Sequence, residues 1–423
     1  MAVHVIGAGL AGLSAAIRRV GAGMRVVVHE AAGQAGGRCR SYHDPALDME
    51  IDNGNHLLLS GNRAALDYVR TIGAEQHLVG PPSASFPFVD LASKERWTIN
   101  LGAGRIPWWV FDPRRRVPGT RLIEYLAMAP LAWASSERAI GDVVPCVGPL
   151  YERLMRPLLL AALNTEPKEA TAGLAAAVLR ETLLMGGAAC RPLIARDGLD
   201  AAFVKPALAF LQSHQAQVQF GHRLRALSFA DGRADRMNFG DDEIALAPGD
   251  AVIVAVPPVV ATSLLPSLTA PNEFRAIVNA HFRVAPSVSA APITGVINGT
   301  VEWIFAFRER LSVTISGADR LVDAPREQLA QTIWREVAEV AGIDDTNRLP
   351  PWQIVRERRA TFAAIPQEER KRPGAPTRWD NVILAGDWTA TGLPATIEGA
   401  IRSGHRAAEI VSSRFADRPP GKR

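Results

Sequence analysis

The sequence predicts an α/β protein in which a Rossmann-like domain is interleaved with an α+β domain. Three observations carry this. A Gly7-x-Gly9-x-x-Gly12 turn follows a strand-like run at the N-terminus, and a Gly386-Asp387 turn follows another near the C-terminus. Between them, Ala251–Val256 has the continuous apolar pattern of a buried strand, stopped by Pro257 and Pro258. A chain of 423 residues holds roughly two or three domains at about 150 residues each.

Val3-His4-Val5-Ile6 reads as the first buried strand. A helix follows from about Leu10 to Val20, then a second strand from Met24 to His29, ending at Glu30. This is a β-α-β unit with an acid 18 residues after Gly12. Gly7 permits the tight turn, Gly9 admits a pyrophosphate, and Gly12 allows close packing of helix on strand. The amides of Leu10, Ala11 and Gly12 at the helix N-terminus offer hydrogen bonds and partial positive charge to that pyrophosphate. Glu30 can accept hydrogen bonds from ribose hydroxyls. The unit predicts dinucleotide binding.

The extension Gly36-Gly37-Arg38 is more than a simple NAD domain needs. It resembles the second dinucleotide motif of the FAD-dependent amine oxidase and phytoene desaturase superfamily. That resemblance implies FAD, with Arg38 meeting the pyrophosphate and the glycines passing close to the flavin. At the far end, Asn381–Ala385 reads as a strand running into Gly386-Asp387, and Gly392–Ala400 opens a last helix. In the superfamily the Asp of this pair holds the ribityl chain and phosphate. The helix start near Thr396 and Ile397 points amides at the pyrimidine edge of the flavin, where they stabilise negative charge. Gln217–Leu227 reads as a hairpin or paired strands, with Leu224 at the position whose backbone meets adenine in the superfamily.

The string Asp52-Asn53-Gly54-Asn55-His56-Leu57-Leu58-Leu59 occupies the loop that passes beside the isoalloxazine in the superfamily, with Gly54 close to the ring. It resembles the hydroxysqualene dehydroxylases, also called squalene-associated FAD-dependent desaturases. So do Leu158–Thr165 with Glu169-Ala170, and Arg196-Asp197-Gly198-Leu199. The chain departs from that family at Asn55, where Gln is common, and at Ser60, where Gly is. The resemblance implies replacement of the allylic hydroxyl of hydroxysqualene by hydrogen, giving squalene for hopanoid synthesis. Such chemistry needs a long apolar tunnel, an acid for the leaving hydroxyl and a reduced flavin against the reacting carbon. His56 is the candidate acid and Asp52 its orienting or alternative partner. Asn164 is a further polar residue in an apolar stretch, for which capping or packing is the simpler role. Electrons would come from NAD(P)H or a separate reductase.

The organisation reads as discontinuous. Residues 1–80, 200–265 and 375–423 form the FAD-binding domain, and 81–199 and 266–374 the substrate domain. Boundary signals are Gly80-Pro81-Pro82, Pro266 to Pro271, and Lys371-Arg372-Pro373-Gly374. Ala161–Leu179 reads as helical, and the tail Arg418–Arg423 as frayed. Ile106–Arg116 sets aromatic residues beside an arginine cluster and suits a membrane headgroup region as well as it suits a solvated basic loop. Formal charge is +4, and 42 of the 47 basic residues are Arg. This mild positive balance suits an anionic surface. No basic stripe with interleaved aromatics suggests nucleic acid. The three cysteines are scattered, as in a reducing, cytoplasmic setting, and no apolar run reaches the about 18 residues of a spanning helix. The expectation is a cytoplasmic enzyme held peripherally at the inner face of the membrane. The nine His are dispersed, so no metal is expected. The G-x-S-x-G elbow of serine hydrolases is absent. Three other readings share these features: a carotenoid desaturase-like enzyme, an amine oxidase and a noncatalytic flavoprotein scaffold. An amine oxidase needs an aromatic cage. Trp388 is suggestively placed for one, but four Tyr in the chain offer little material.

Overall fold

The computed structural model describes residues 1–415. The tail expected to fray, Arg418–Arg423, lies outside the described residues. A five-stranded parallel sheet takes its strands from three distant stretches of chain, in the order Gln217–Gln219, Arg25–His29, Ala2–Ile6, Ala251–Val254, Val382–Leu384. The inner strands are mostly apolar, with His4 and His29 the buried exceptions, because helices and loops cover both faces. The helix Leu10–Val20 packs on this sheet, and the C-terminal helix Ile397–Phe415 packs on that helix. Their crossing is close: a Cβ at Gly404 would lie 2.2 Å from the Ala11 carbonyl oxygen.

The first helix and both outer strands of the β-α-β unit fall where the sequence places them. Gln217–Leu227 differs. Gln217–Gln219 joins the edge of the parallel sheet rather than turning back on itself, and Ala226–Ala230 begins a separate three-stranded sheet. Ala161–Leu179 is not one helix either. Arg156–Leu163 ends at Asn164, which is left-handed with φ 50°, and Ala172 starts a new helix.

The second sheet has seven strands, ordered Trp352–Phe362, Phe274–Phe282, Leu311–Ile315, Trp303–Ala306, Ile293–Ile297, Ser85–Asp90, Arg96–Asn100. Alternation along its central strands sorts the side chains. Val278, Ala280, Phe282 and Val313 pack with the helix Arg326–Ala341. Asn279, His281, Ser312 and Thr314 take the opposite face, where Asn279 and Thr314 hydrogen-bond Asn53 and Asn55 while His281 pairs with Ser312. This polar face between two apolar layers positions the candidate site.

Candidate active site

The glycine turn is built for close approach. Gly7 has φ +103°, and a Cβ there would lie 2.5 Å from the Ala255 carbonyl oxygen. A Cβ at Gly12 would lie 1.9 Å from the Gly7 carbonyl oxygen, so only glycine lets the helix start against the strand. At Gly9 an added Cβ meets nothing within 4 Å. The helix that begins at Leu10 has no side-chain cap and no acidic residue in its first turn. Its first amides, from Leu10, Ala11 and Gly12, are therefore available to an anion. Glu30 closes the turn from the second strand, accepting from the Ala8 N–H at 2.7 Å and the Ala32 N–H at 2.8 Å.

The Gly36-Gly37-Arg38 segment lies against this turn. The Gly36 N–H donates to the Ala8 carbonyl at 2.8 Å, and Gly36 bridges to Gly9. Arg38 then reaches across the fold. One guanidinium nitrogen lies 2.6 Å from Asp387 Oδ2, and the other donates to the Ala360 carbonyl. The Asp387 carboxylate, then burial, are the main influences on the Arg38 cation, and the net effect raises its pKa. The N-terminal motif and the C-terminal Gly386-Asp387 turn, 349 residues apart, thus meet in one ion pair. Thr396 Oγ1 accepts from the Gly399 N–H at 3.1 Å and caps the helix that begins at Ile397. At the other end of the site Leu224 is buried, and its backbone groups make no hydrogen bond among the described residues.

These residues fit FAD. The open turn at Gly9 and the uncapped helix suit its pyrophosphate. The free backbone of Leu224 could hold adenine, and Glu30 the adenosine ribose. Asp387 and Arg38 could hold the ribityl phosphate, and the Thr396–Ile397 helix start the ring. Gly54 borders the same region: a Cβ there would lie 3.1 Å from Asn279 Nδ2.

His56 is half-buried and has no hydrogen-bond partner among the described residues. Burial first, then the Arg38 charge, lowers its pKa to about 4. It is therefore neutral at pH 7, which argues against a resting imidazolium acid. Asp52 is not its partner. One Asp52 oxygen accepts from Ser41 Oγ at 2.6 Å and the Leu199 N–H at 2.8 Å, and the other from Arg310 at 3.0 Å. Its carboxylate is consumed in holding three segments together, so the expected Asp52–His56 pair does not form. Trp388 likewise departs from an amine cage, since its indole N–H donates to the Val256 carbonyl at 2.9 Å and the residue is buried. Asn164 serves packing, donating to Thr361 Oγ1 at 3.0 Å and accepting from the Gly317 N–H at 2.7 Å.

Several residues escape sequence reasoning. Asn279 and Thr314 hold the 53–55 loop: Asn55 donates to Thr314 Oγ1 at 3.1 Å, and Thr314 to Asn279 Oδ1 at 2.8 Å. The Asn55 amide oxygen is buried without a partner among the described residues. Arg372, legible only as part of a boundary signal, is fully buried and donates to the Asp387 carbonyl at 3.1 Å and Thr391 Oγ1 at 3.0 Å. It fixes the loop that carries Asp387. Glu302 has its pKa raised to about 7 by burial. It precedes the strand Trp303–Ala306, and its carboxylate accepts from the Ser316 N–H at 2.7 Å.

The model of the family described as flavin containing amine oxidoreductase matches residues 10–412. A hydroxysqualene dehydroxylase of Rhodopseudomonas palustris is 61% identical over 410 residues, 97% of this chain and 98% of the relative. One of Sinorhizobium fredii is 58% identical over 97% of this chain and 98% of its own. Among solved structures, cyclohexylamine oxidase from Brevibacterium oxydans superposes with a TM-score of 0.73 over 98% of this chain and 99% of that one. At 14% identity this last likeness concerns the fold alone.

Proposed function

The chain belongs to the flavin containing amine oxidoreductase family and, within it, to the hydroxysqualene dehydroxylases, and from that membership we propose that this FAD oxidoreductase converts hydroxysqualene to squalene. The observation that carries the reading is 61% identity sustained across nearly the whole of both chains. In this reading the C–O bond of the allylic hydroxyl breaks as the oxygen takes a proton and leaves as water. The substrate is left as a delocalised cation. Reduced FAD, when bound, supplies the hydride that completes the new C–H bond. The apolar layer around Trp303 and Phe305 excludes water from that cation. The Thr396–Ile397 helix start and the Arg38–Asp387 pair fix the cofactor, with Gly7, Gly9, Gly12, Glu30, Gly36, Gly37, Gly54, Leu224 and Gly386 shaping its bed.

His56, neutral at rest, takes a proton from solvent and gives it to the leaving hydroxyl, which accounts for the proton that departs in the water. His56→Ala then retains its flavin and loses about a hundredfold in turnover. Only the protonated fraction of His56 acts, so wild-type turnover rises as pH falls toward about 4, where His56 gains its proton. A rate that does not change with pH, or that rises equally in His56→Ala, removes this role. The same reading keeps 1–80, 200–265 and 375–423 as the FAD domain, with 81–199 and 266–374 holding the triterpene. It places the enzyme in hopanoid synthesis at the inner face of the cytoplasmic membrane, with NAD(P)H or a reductase renewing the flavin.

The deciding experiment is anaerobic. The bound flavin is reduced, hydroxysqualene is added, and the flavin spectrum and product mass are followed together. Reoxidation with squalene appearing in step supports the proposal. A flavin that stays reduced overturns it and turns attention to oxidative desaturation.

A further inference from the structure

The residues between the strand Arg96–Asn100 and the helix Arg156–Leu163 leave the second sheet as an excursion of short helices, Trp108–Phe111, Leu122–Met128 and Ala129–Trp133. Of the thirteen exposed large hydrophobic side chains among the described residues, six fall between 105 and 133: Ile106, Trp108, Phe111, Ile123, Leu126 and Trp133. Trp108 is 66% exposed and Trp133 73%. Isolated exposed apolar residues are ordinary, but a contiguous group marks an interaction surface. The group is contiguous here. Trp108 and Phe111 are one turn apart with ring centroids at 5.9 Å, Ile123 and Leu126 share a helix face, and their helix Leu122–Met128 packs against both Trp108–Phe111 and Ala129–Trp133.

The charge around the patch identifies its partner. From 105 to 121 the chain carries five arginines and one aspartate. Arg105, Arg114, Arg115, Arg116 and Arg121 form no ion pair among the described residues; all but the half-buried Arg116 are exposed. Free arginines rimming exposed tryptophans and aliphatics match a phosphate-bearing, apolar-cored partner. A second copy docked through the same face would set these arginines against one another. No helix among the described residues is long and apolar enough to cross a membrane, so contact at this face is shallow.

The inner side of the excursion adds a second observation. Trp109, Val110 and Leu131 are buried in the same apolar cluster as Trp303, Phe305 and Trp388, the last beside Asp387. One continuous apolar layer therefore runs from under the exposed patch to the flavin-binding turn. We propose that the 105–133 excursion is a docking face for an anionic phospholipid bilayer, its aromatic side chains at headgroup depth and its arginines on lipid phosphates. Its inner side receives the apolar substrate directly from the lipid, a corollary that rests on the proposed function.

The test is cosedimentation of purified holoenzyme with vesicles of phosphatidylcholine alone or with about 30% phosphatidylglycerol. Binding is expected to be about tenfold tighter to the anionic vesicles and to weaken at about 0.5 M salt. Brominated lipids should quench native tryptophan fluorescence. The double variant Trp108→Ser/Trp133→Ser and the triple variant Arg114→Ser/Arg115→Ser/Arg116→Ser should each lose binding about tenfold while keeping wild-type flavin content and turnover of detergent-dispersed substrate. Equal vesicle binding by wild type and both variants overturns the proposal. So does a wild-type dimer in solution that the tryptophan variant dissociates. Because Arg114 and Arg115 are exposed whereas Arg116 is half-buried, the smaller variant Arg114→Ser/Arg115→Ser reports even where the tryptophan variant does not fold. Vesicle binding without dehydroxylation in detergent would leave the docking face standing and overturn only the proposed reaction.

Discussion

At the scale of single residues, the site depends on contacts between positions far apart in the chain. Arg38 and Asp387 show what this implies. Asp387 is almost wholly buried, whereas the Arg38 side chain is 46% exposed, so solvent screens the pair in part. Asp387→Ala is expected to cost about 2 kcal/mol, below the range of fully buried pairs. It should also lower flavin affinity by at least about tenfold, because the freed guanidinium turns away from the cofactor bed. The flavin-to-protein ratio after purification and the melting temperature of the flavin-free form check the two effects separately. Arg38, Asp387 and Glu30 are legible in the sequence because each sits in a short motif whose backbone geometry demands it. Asp52, Asn279, Arg310 and Arg372 are not. Their roles are set by partners on other segments, as with the 3.0 Å contact of Arg310 to Asp52, 258 positions away. His56 falls between: its place in the loop is legible, but its lowered proton affinity arises from burial and from Arg38.

Elements behave the same way. The strand-helix-strand unit at the N-terminus is legible to within a residue, because buried parallel strands are mostly apolar and a glycine turn fixes where the helix starts. The short segments after Gln217 are not, since a three-residue strand carries too few side chains to declare its period. The C-terminal helix does more than its own packing requires. Glu398 in its first turn is buried, accepts from the Ala64 N–H at 3.1 Å and the Ala65 N–H at 2.8 Å, and pairs with Arg402 at 2.7 Å. It thereby caps the helix Arg63–Thr71, which Asn62 leaves without a side-chain cap. Glu398→Ala removes a charged acceptor from two buried amides and is expected to cost about 2 kcal/mol. In a chain of this size that is a fall of about 4 °C in melting temperature. Flavin content should fall with it, because the same first turn begins at the cofactor. Glu398→Gln, which keeps one acceptor, should recover part of both losses. An unchanged melting temperature in Glu398→Ala would show that water replaces the cap at no cost.

Over the whole molecule, the distribution of histidines sets how the fold answers to acid. His4, His29 and His222 form a chain of imidazoles through the edge of the parallel sheet, with nitrogens 3.1 Å apart in the first contact and 2.9 Å in the second. Asp250 and Arg25 act on His4, Gln219 on His29, and Asp242 lies 3.5 Å from His222. Burial, then the two neighbouring imidazoles, brings the pKa of His29 down to about 3. His281, sealed in the second sheet against Ser312, is brought down to about 3 by burial and then by Arg310. Unfolded, both would titrate near 6.5. The unfolded chain therefore binds protons that the folded chain refuses, and stability falls as pH drops from about 6.5 toward about 3. Each such site removes about 1.6 kcal/mol between pH 6.5 and 5. His56 and His405, with pKa lowered to about 4 by burial, remove as much again. Glu302, raised to about 7, takes up a proton in the folded chain over the same interval and offsets about one of the four, leaving a net loss of about 5 kcal/mol. The buried Asp90, whose pKa hydrogen bonds hold at about 2, loses its contribution only below its unfolded value of 3.8 and does not blur this window. Melting temperature is expected to fall by roughly 10 °C from pH 6.5 to pH 5. In His29→Gln, which keeps a polar side chain between His4 and His222 but cannot take the proton, the fall should be about a third smaller. A variant whose melting temperature drops as far as the wild type's over that interval would place the acid sensitivity elsewhere in the fold.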